Sequence, residues 1–320
     1  MTARTAVVFP GETGASAGMV EPWLDDPAAR AVVEEASEAV GRDVTAWWHD
    51  PANLGDPVAA HVDVVVTGAA AFASMRGRGL RPLAVAGHGV GEYAALVAAG
   101  ALALDQVVEL VHWRAELLGL SPRPSAAGMA AVIGPGAGDV GRAVVADIGE
   151  DGSLTVASFD GPDQVVLSGT RLQLALAREE VLSMGLDFAR LPGRAPCHGP
   201  LVQSVAAHLA AALADLDWSE PEVPVVPNAD ATPTRDPDVL ARCLRTHLTS
   251  PVQWEATSRA LAALGATAVV EVGVVPVLGP LIRQACPDLA VHLAKGPGYS
   301  LPTDPAEPAL AGPAPTRGER

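Results

Sequence analysis

The stretch Pro82–Leu96, PLAVAGHGVGEYAAL, constrains the architecture of this chain more than any other. A short apolar run reads as a buried strand and ends in glycines at alternate positions, Gly87, Gly89 and Gly91. An alanine-rich helix follows at once. A strand that turns tightly into a helix returns its chain over one face of a sheet, so the next strand lies parallel to the first. Other segments repeat the theme. Residues 5–9, TAVVF, form an apolar run closed by Pro10-Gly11, and residues 268–273, AVVEVG, form another.

Helical patterning fills the spaces between these runs. An amphipathic helix is expected over 28–46, and a buried, small-residue-rich one over 62–75. Further helices are expected near 105–118, 199–215, 237–248 and 255–264, with a strand at 223–228. Between about 128 and 191 the order changes to strand, helix, strand, strand, helix, strand, the signature of a ferredoxin-like unit. The expected fold class is therefore α/β: a large α/β-hydrolase-like body with a parallel sheet, and an inserted small ferredoxin-like subdomain. The body takes residues 1–124 and 195–295, and the insert takes 125–194. Residues 296–320 are rich in Pro, Ala and Gly and read as a flexible tail.

The bulk numbers exclude several classes. A formal charge of −16 argues against nucleic acid as a partner, since neutralising phosphates needs a basic face. No run of 18 apolar residues suggests a membrane span, and the first residues lack the pattern of a signal peptide, so a cytoplasmic protein is expected. Cys197, Cys243 and Cys286 are far apart and form no CxxC pair, which supports neither a disulfide framework nor a zinc site; no metal and no bound cofactor are expected.

The chemistry concentrates at the glycine-rich turn. A strand, Gly-x-x-x-Gly and a helix give the geometry of a nucleophile elbow, whose middle residue is exposed on a strained turn at the positive end of the helix. Here that residue is Gly89, which offers nothing to attack a thioester.

GHGVGEYAALVAAGAL resembles the GHSxGE segment of the malonyl-CoA:acyl-carrier-protein transacylases and the acyltransferase domains of polyketide synthases. Further segments resemble that family in the same order. FPGETG is similar to its FPGQGSQ, and residues 107–115 to the helix that carries its substrate arginine. ASFDGPDQVVLSG is similar to its AxNxPxQxVxSG stretch, PCHGPLV to its HSPLM segment, and LTSPVQW and EVGVVPVLGPLI to its NPVxW and EVGP segments. The resemblance covers roughly residues 5–295. It implies acyl transfer in polyketide or fatty-acid biosynthesis: a serine takes the acyl group from malonyl-CoA and passes it to a carrier's phosphopantetheine thiol. A histidine serves as general base for both attacks.

Carried over position by position, the resemblance implies that His198 is the base, Gly89 the nucleophile position without its serine, and Arg114 the partner of the malonyl carboxylate. His88, Glu12, Val90 and Ser250 are implied as substrate-binding or cleft positions. Glu12 replaces a glutamine beside the oxyanion hole. Ser250 stands where asparagine is common; if a backbone carbonyl there orients the imidazole, serine suffices. Val274-Val275 replace the Pro-Gly after EVG.

Substrates implied are acyl-CoA and phosphopantetheine-carrier thioesters. Partners implied are an acidic acyl carrier protein, docked on arginines from the set Arg76, Arg78, Arg81, Arg190 and Arg194, and a ketosynthase or polyketide synthase. Transfer through a seryl ester at position 89 is chemically impossible. Two readings follow: an enzyme working without serine, by direct transfer or hydrolysis of the thioester, or an inactive pseudo-acyltransferase serving as a binding module. A single serine-to-glycine replacement in an otherwise intact site is a third, which the changes at Glu12 and Val274-Val275 speak against. Cys197 adjoins His198, but neighbours in extended chain point opposite ways, which argues against a thiol nucleophile.

Overall fold

A computed structural model describes residues 4–50, 53, 55–120, 126–149, 152–191 and 195–300. Its main sheet is wholly parallel. Strands β1 (Thr5–Phe9), β2 (Val85–Gly87), β7 (Val225–Val226), β8 (Ala268–Val272) and β9 (Ala290–Ala294) lie in the order β7-β2-β1-β8-β9. The period of two sends alternate residues of β1 to opposite faces: Val7 and Phe9 join one apolar cluster, Ala6 and Val8 the other. With both faces covered, every residue of β1, β2 and β8 is buried, as the continuous apolar runs require.

One face is covered by α1 (Pro27–Val40), α3 (Pro57–Gly77), α4 (Gly91–Ala98), α5 (Leu104–Leu120) and α8 (Gln203–Ala214). The single helix expected over 28–46 is in fact two. Gly41 takes the left-handed conformation (φ 69°) and ends α1, and the Asp43 carboxylate then accepts the amides of Thr45 and Ala46 to start α2 (Val44–His49). α3 begins at Pro57 behind an Asp56 N-cap and is buried almost all round. By length and composition α3 is apolar enough to cross a membrane, but 83% of its apolar window is buried against the body.

On the other face lie α10 (Trp254–Ala263) and α11 (Leu278–Ala285), around the fully buried Trp254. α11 and β9, which no apolar periodicity in the sequence announces, close the body, with β9 at the edge of the main sheet. The strand expected over 223–228 shrinks to the two residues of β7, and α9 (Pro237–Thr246) follows it.

The small sheet is antiparallel. β3 (Ala127–Ile133), β4 (Leu154–Gly161), β5 (Gln164–Thr170) and β6 (Asp187–Leu191) lie in the order β4-β5-β3-β6. α6 (Ala137–Ile148) and α7 (Arg171–Ser183) pack with them around their own apolar cluster. Both the chain order and the strand order are those of a ferredoxin-like unit. β4 is stitched to the body by Phe159 N–H to Val252 O at 2.8 Å and Val252 N–H to Ala157 O at 2.9 Å. Residues 121–125 and 192–194, at the expected junctions, and 301–320, most of the expected tail, lie outside the described residues.

Candidate active site

A cavity of about 500 Å³ opens where the carboxyl ends of β1, β2 and β8 face the small sheet. In open parallel sheets this is where the chain turns from strand to helix and leaves room for a ligand. Gly89, at the tip of the β2–α4 turn, lines it with φ +54°. The turn is possible only because its flanks are glycine. A Cβ on Gly87 would lie 2.0 Å from the Gly91 carbonyl oxygen, and one on Gly91 would lie 2.3 Å from that of Phe9. At Gly89, among the described residues apart from its chain neighbours, the single atom within 4 Å of a built Cβ is His198 Nε2, at 3.8 Å.

The backbone of this turn is held from distant parts of the chain. The Asn228 side chain accepts the Gly89 amide at 2.9 Å and donates to Gly87 O at 2.7 Å. His247 Nε2–H donates to Gly89 O at 3.1 Å. Behind both lies the Glu92 carboxyl, in hydrogen bonds with the Asn228 side chain and amide. Burial pushes Glu92 up to about 7, with the Asn228 bonds only partly opposing it. His247 is held well below its usual range by burial and by His198 and Arg114, so it stays neutral and acts as a donor.

His198 Nδ1–H donates to the His247 carbonyl at 2.8 Å, which leaves Nε2 as the free base directed at position 89. Ser250 does not line the cavity, and the carbonyl that orients the imidazole belongs to His247, three residues earlier. His198 itself has φ +59°, rare for a residue with a side chain, and this bend turns the ring into the cleft.

Arg114, on α5, is 2% exposed and lines the cavity. Its Nη1 donates to His61 Nδ1 at 3.2 Å, its Nη2 reaches Cys197 Sγ at 3.8 Å, and its buried Nε has no hydrogen-bond partner among the described residues. It forms no ion pair with a carboxylate among the described residues. Glu12, in the short turn that follows β1, sits 3.4 Å from His61 Nε2, so its charge is held in a Glu12–His61–Arg114 line across the cleft.

His88 Nε2 lies 2.9 Å from Asp160 Oδ1, and Asp160 also accepts from Ser158 and from Gln164 at 3.0 Å. Burial tends to raise Asp160, but His88 and these donors outweigh it and hold the carboxyl below its usual range. Val90 is buried in the cavity wall next to Gly89. In the EVG segment the buried Glu271 accepts the amides of Val277, Leu278 and Gly279 at 2.7–2.8 Å and so fixes the N-terminus of α11, which forms another wall.

Gly89, His198, Arg114, His88, Glu12 and Val90 therefore share one cavity, and Ser250 stands apart. Sequence reading had no signal for Asn228, His247, Asp160 or His61, which reach the site from 53 to 158 residues away. Of the arginines expected to meet a carrier, Arg76, Arg78 and Arg81 cluster at the end of α3, with Arg76 paired to Glu222 at 3.0 Å; Arg190 lies on β6, and Arg194 lies outside the described residues.

Comparison with known proteins gives a consistent answer. The acyl transferase domain family matches residues 7–295. A malonyl CoA-acyl carrier protein transacylase of Bacillus subtilis (strain 168) is 30% identical over 286 residues, covering 88% of this chain and 90% of that one. The malonyl CoA-acyl carrier protein transacylase of Coxiella burnetii superposes with a TM-score of 0.88 at 27% identity, covering 93% and 95% of the two chains. A malonyl-transacylase solved in complex with a type II polyketide synthase acyl-carrier protein superposes with a TM-score of 0.86 at 25% identity, covering 92% and 96%.

Proposed function

The chain belongs to the acyl transferase domain family, and from that premise we propose that its cleft binds malonyl-type acyl thioesters and turns them over without a seryl intermediate. The observation that carries this reading is the oriented base. His198 keeps a free Nε2, held by a backbone carbonyl and aimed at a position that has no hydroxyl. A retained base serves either a thiol or a water attacking the thioester carbonyl. Arg114, which lines the cavity and pairs with no carboxylate among the described residues, suits a bidentate contact with the free carboxylate of a malonyl group. The relatives named above are transacylases acting with acyl carrier protein, and an acidic carrier is accordingly the partner proposed for this chain.

The test is intact-mass spectrometry of an acyl carrier protein incubated with malonyl-CoA and this protein, with malonyl-loaded carrier run separately to catch hydrolysis. Loading or unloading above background that disappears in His198→Ala is the expected result. A second reading, a non-catalytic module that docks a carrier or synthase, is favoured by Gly89 itself. It predicts carrier binding without turnover in either direction.

A further inference from the structure

Position 89 has no nucleophile, but the cleft does hold a free thiol. Cys197 lines the same cavity as Gly89, His198 and Arg114. Neighbouring side chains point opposite ways only in extended chain. His198 at φ +59° breaks that alternation, and the side chains of both neighbours turn toward the cleft. The Cys197 thiol is the chain neighbour of the His198 ring in this cavity, and Arg114 Nη2 lies 3.8 Å from its sulfur. Its backbone amide is anchored to Ser168 Oγ at 3.2 Å, which fixes the sulfur's position from the small sheet.

We infer that Cys197 is the acyl acceptor of this cleft, a nucleophile moved from position 89 to the residue beside the base. The inference rests on the reading that the cleft turns over acyl thioesters. Burial alone would raise the thiol, but the His198 imidazole and then the Arg114 guanidinium outweigh it and bring it to about 7, within reach of thiolate at neutral pH. A second feature points to the ligand. Arg114 lines the same cavity and pairs with no carboxylate among the described residues, so its guanidinium charge is left to meet an acyl group carrying its own carboxylate.

The step balances without any further reagent. The Cys197 S–H proton moves to His198 Nε2, the one ring nitrogen not bonded to backbone. The sulfur forms a bond to the thioester carbonyl carbon, and the bond from that carbon to the coenzyme A sulfur breaks, its electron pair leaving with that sulfur. The imidazolium proton then goes to the departing thiolate. A carrier thiol runs the same sequence in reverse, with its own proton passing through His198 to Cys197. One thioester is exchanged for another, so the intermediate lies near the substrate in energy and is suited to transfer in both directions.

The experiment uses the full chain, with Cys197→Ala and Cys197→Ser alongside, each checked for folding by thermal unfolding. The protein is incubated with malonyl-CoA, quenched in acid and digested, and carrier loading is measured in parallel. The expected result is a malonyl adduct on the peptide holding Cys197, removable by hydroxylamine, together with carrier loading that falls to background in folded Cys197→Ala. Iodoacetamide should modify Cys197 near neutral pH, and malonyl-CoA should protect it. Wild-type loading rates in folded Cys197→Ala would overturn the inference while leaving the function above intact. Absence of turnover and of adduct in the wild type would overturn both.

Discussion

Replacing Gly89 by serine asks most directly whether the cleft is built for acyl transfer, and its cost follows from the backbone. A side chain at φ +54° carries a left-handed penalty of about 1–2 kcal/mol. A non-glycine residue also narrows the unfolded ensemble, which returns about 0.4–1 kcal/mol. No steric term adds to this, because the nearest atom to the new Cβ is His198 Nε2 at 3.8 Å, ordinary contact distance. The net expectation is a loss of about 1 kcal/mol for Gly89→Ser and for Gly89→Ala alike, read by chemical denaturation.

The two variants should separate in chemistry. One more bond from Cβ carries the serine oxygen into hydrogen-bond range of Nε2, about 2.6–3.2 Å. With that base in place, Gly89→Ser should gain a route to the carrier through an ester at residue 89, and adding His198→Ala should slow that route about 10²–10⁴-fold, the usual contribution of a positioned general base. An acid-stable malonyl ester should appear on the peptide spanning residue 89. Two results would refute this reasoning: a loss above about 3 kcal/mol, or a well-folded Gly89→Ser with neither ester nor rate gain.

Other outcomes follow from the same geometry. Gly87→Ala puts a methyl group 2.0 Å from the Gly91 carbonyl oxygen, so it should fail to give folded protein in a thermal-melt assay, unlike Gly89→Ala. Arg114→Lys keeps the charge but loses the fork, and should cut the preference for malonyl over acetyl thioesters about 10–100-fold in competition assays. Asn228→Ala leaves the Gly89 amide and the Glu92 carboxyl without their partner and should cost about 2–4 kcal/mol by urea denaturation. Glu92 titrates at about 7 in the folded protein against an ordinary value near 4.5, so its contribution is full below pH 4.5 and is lost as the pH rises toward 7. The loss is about 3 kcal/mol, and Glu92→Gln should flatten that part of the pH–stability profile.

The sequence by itself determined the parts that depend on neighbours along the chain. The apolar run of β1 ending at Pro10, the glycine spacing of the β2–α4 turn and the alternation of strand and helix across residues 128–191 all rest on local periodicity and backbone sterics. For the same reason they were legible, down to the missing hydroxyl at Gly89. Gly41 shows how far this reaches: a glycine inside an otherwise continuous helical pattern ended the helix, and only its positive φ in the structure reveals that.

Tertiary structure decided the rest. The carbonyl that aims His198 comes from His247 rather than from near Ser250, and the turn is clamped by Asn228, 139 residues from Gly89. Glu12 meets His61 and, through it, Arg114; Asp160 comes from the small subdomain to hold His88. These pairings follow from how two layers of helices and a second sheet close over the ends of the parallel strands, and no periodicity in the chain encodes them. The direction of Cys197 belongs here too. Neighbour alternation describes extended backbone, and it fails where packing holds His198 in a left-handed conformation and turns both side chains toward one cavity.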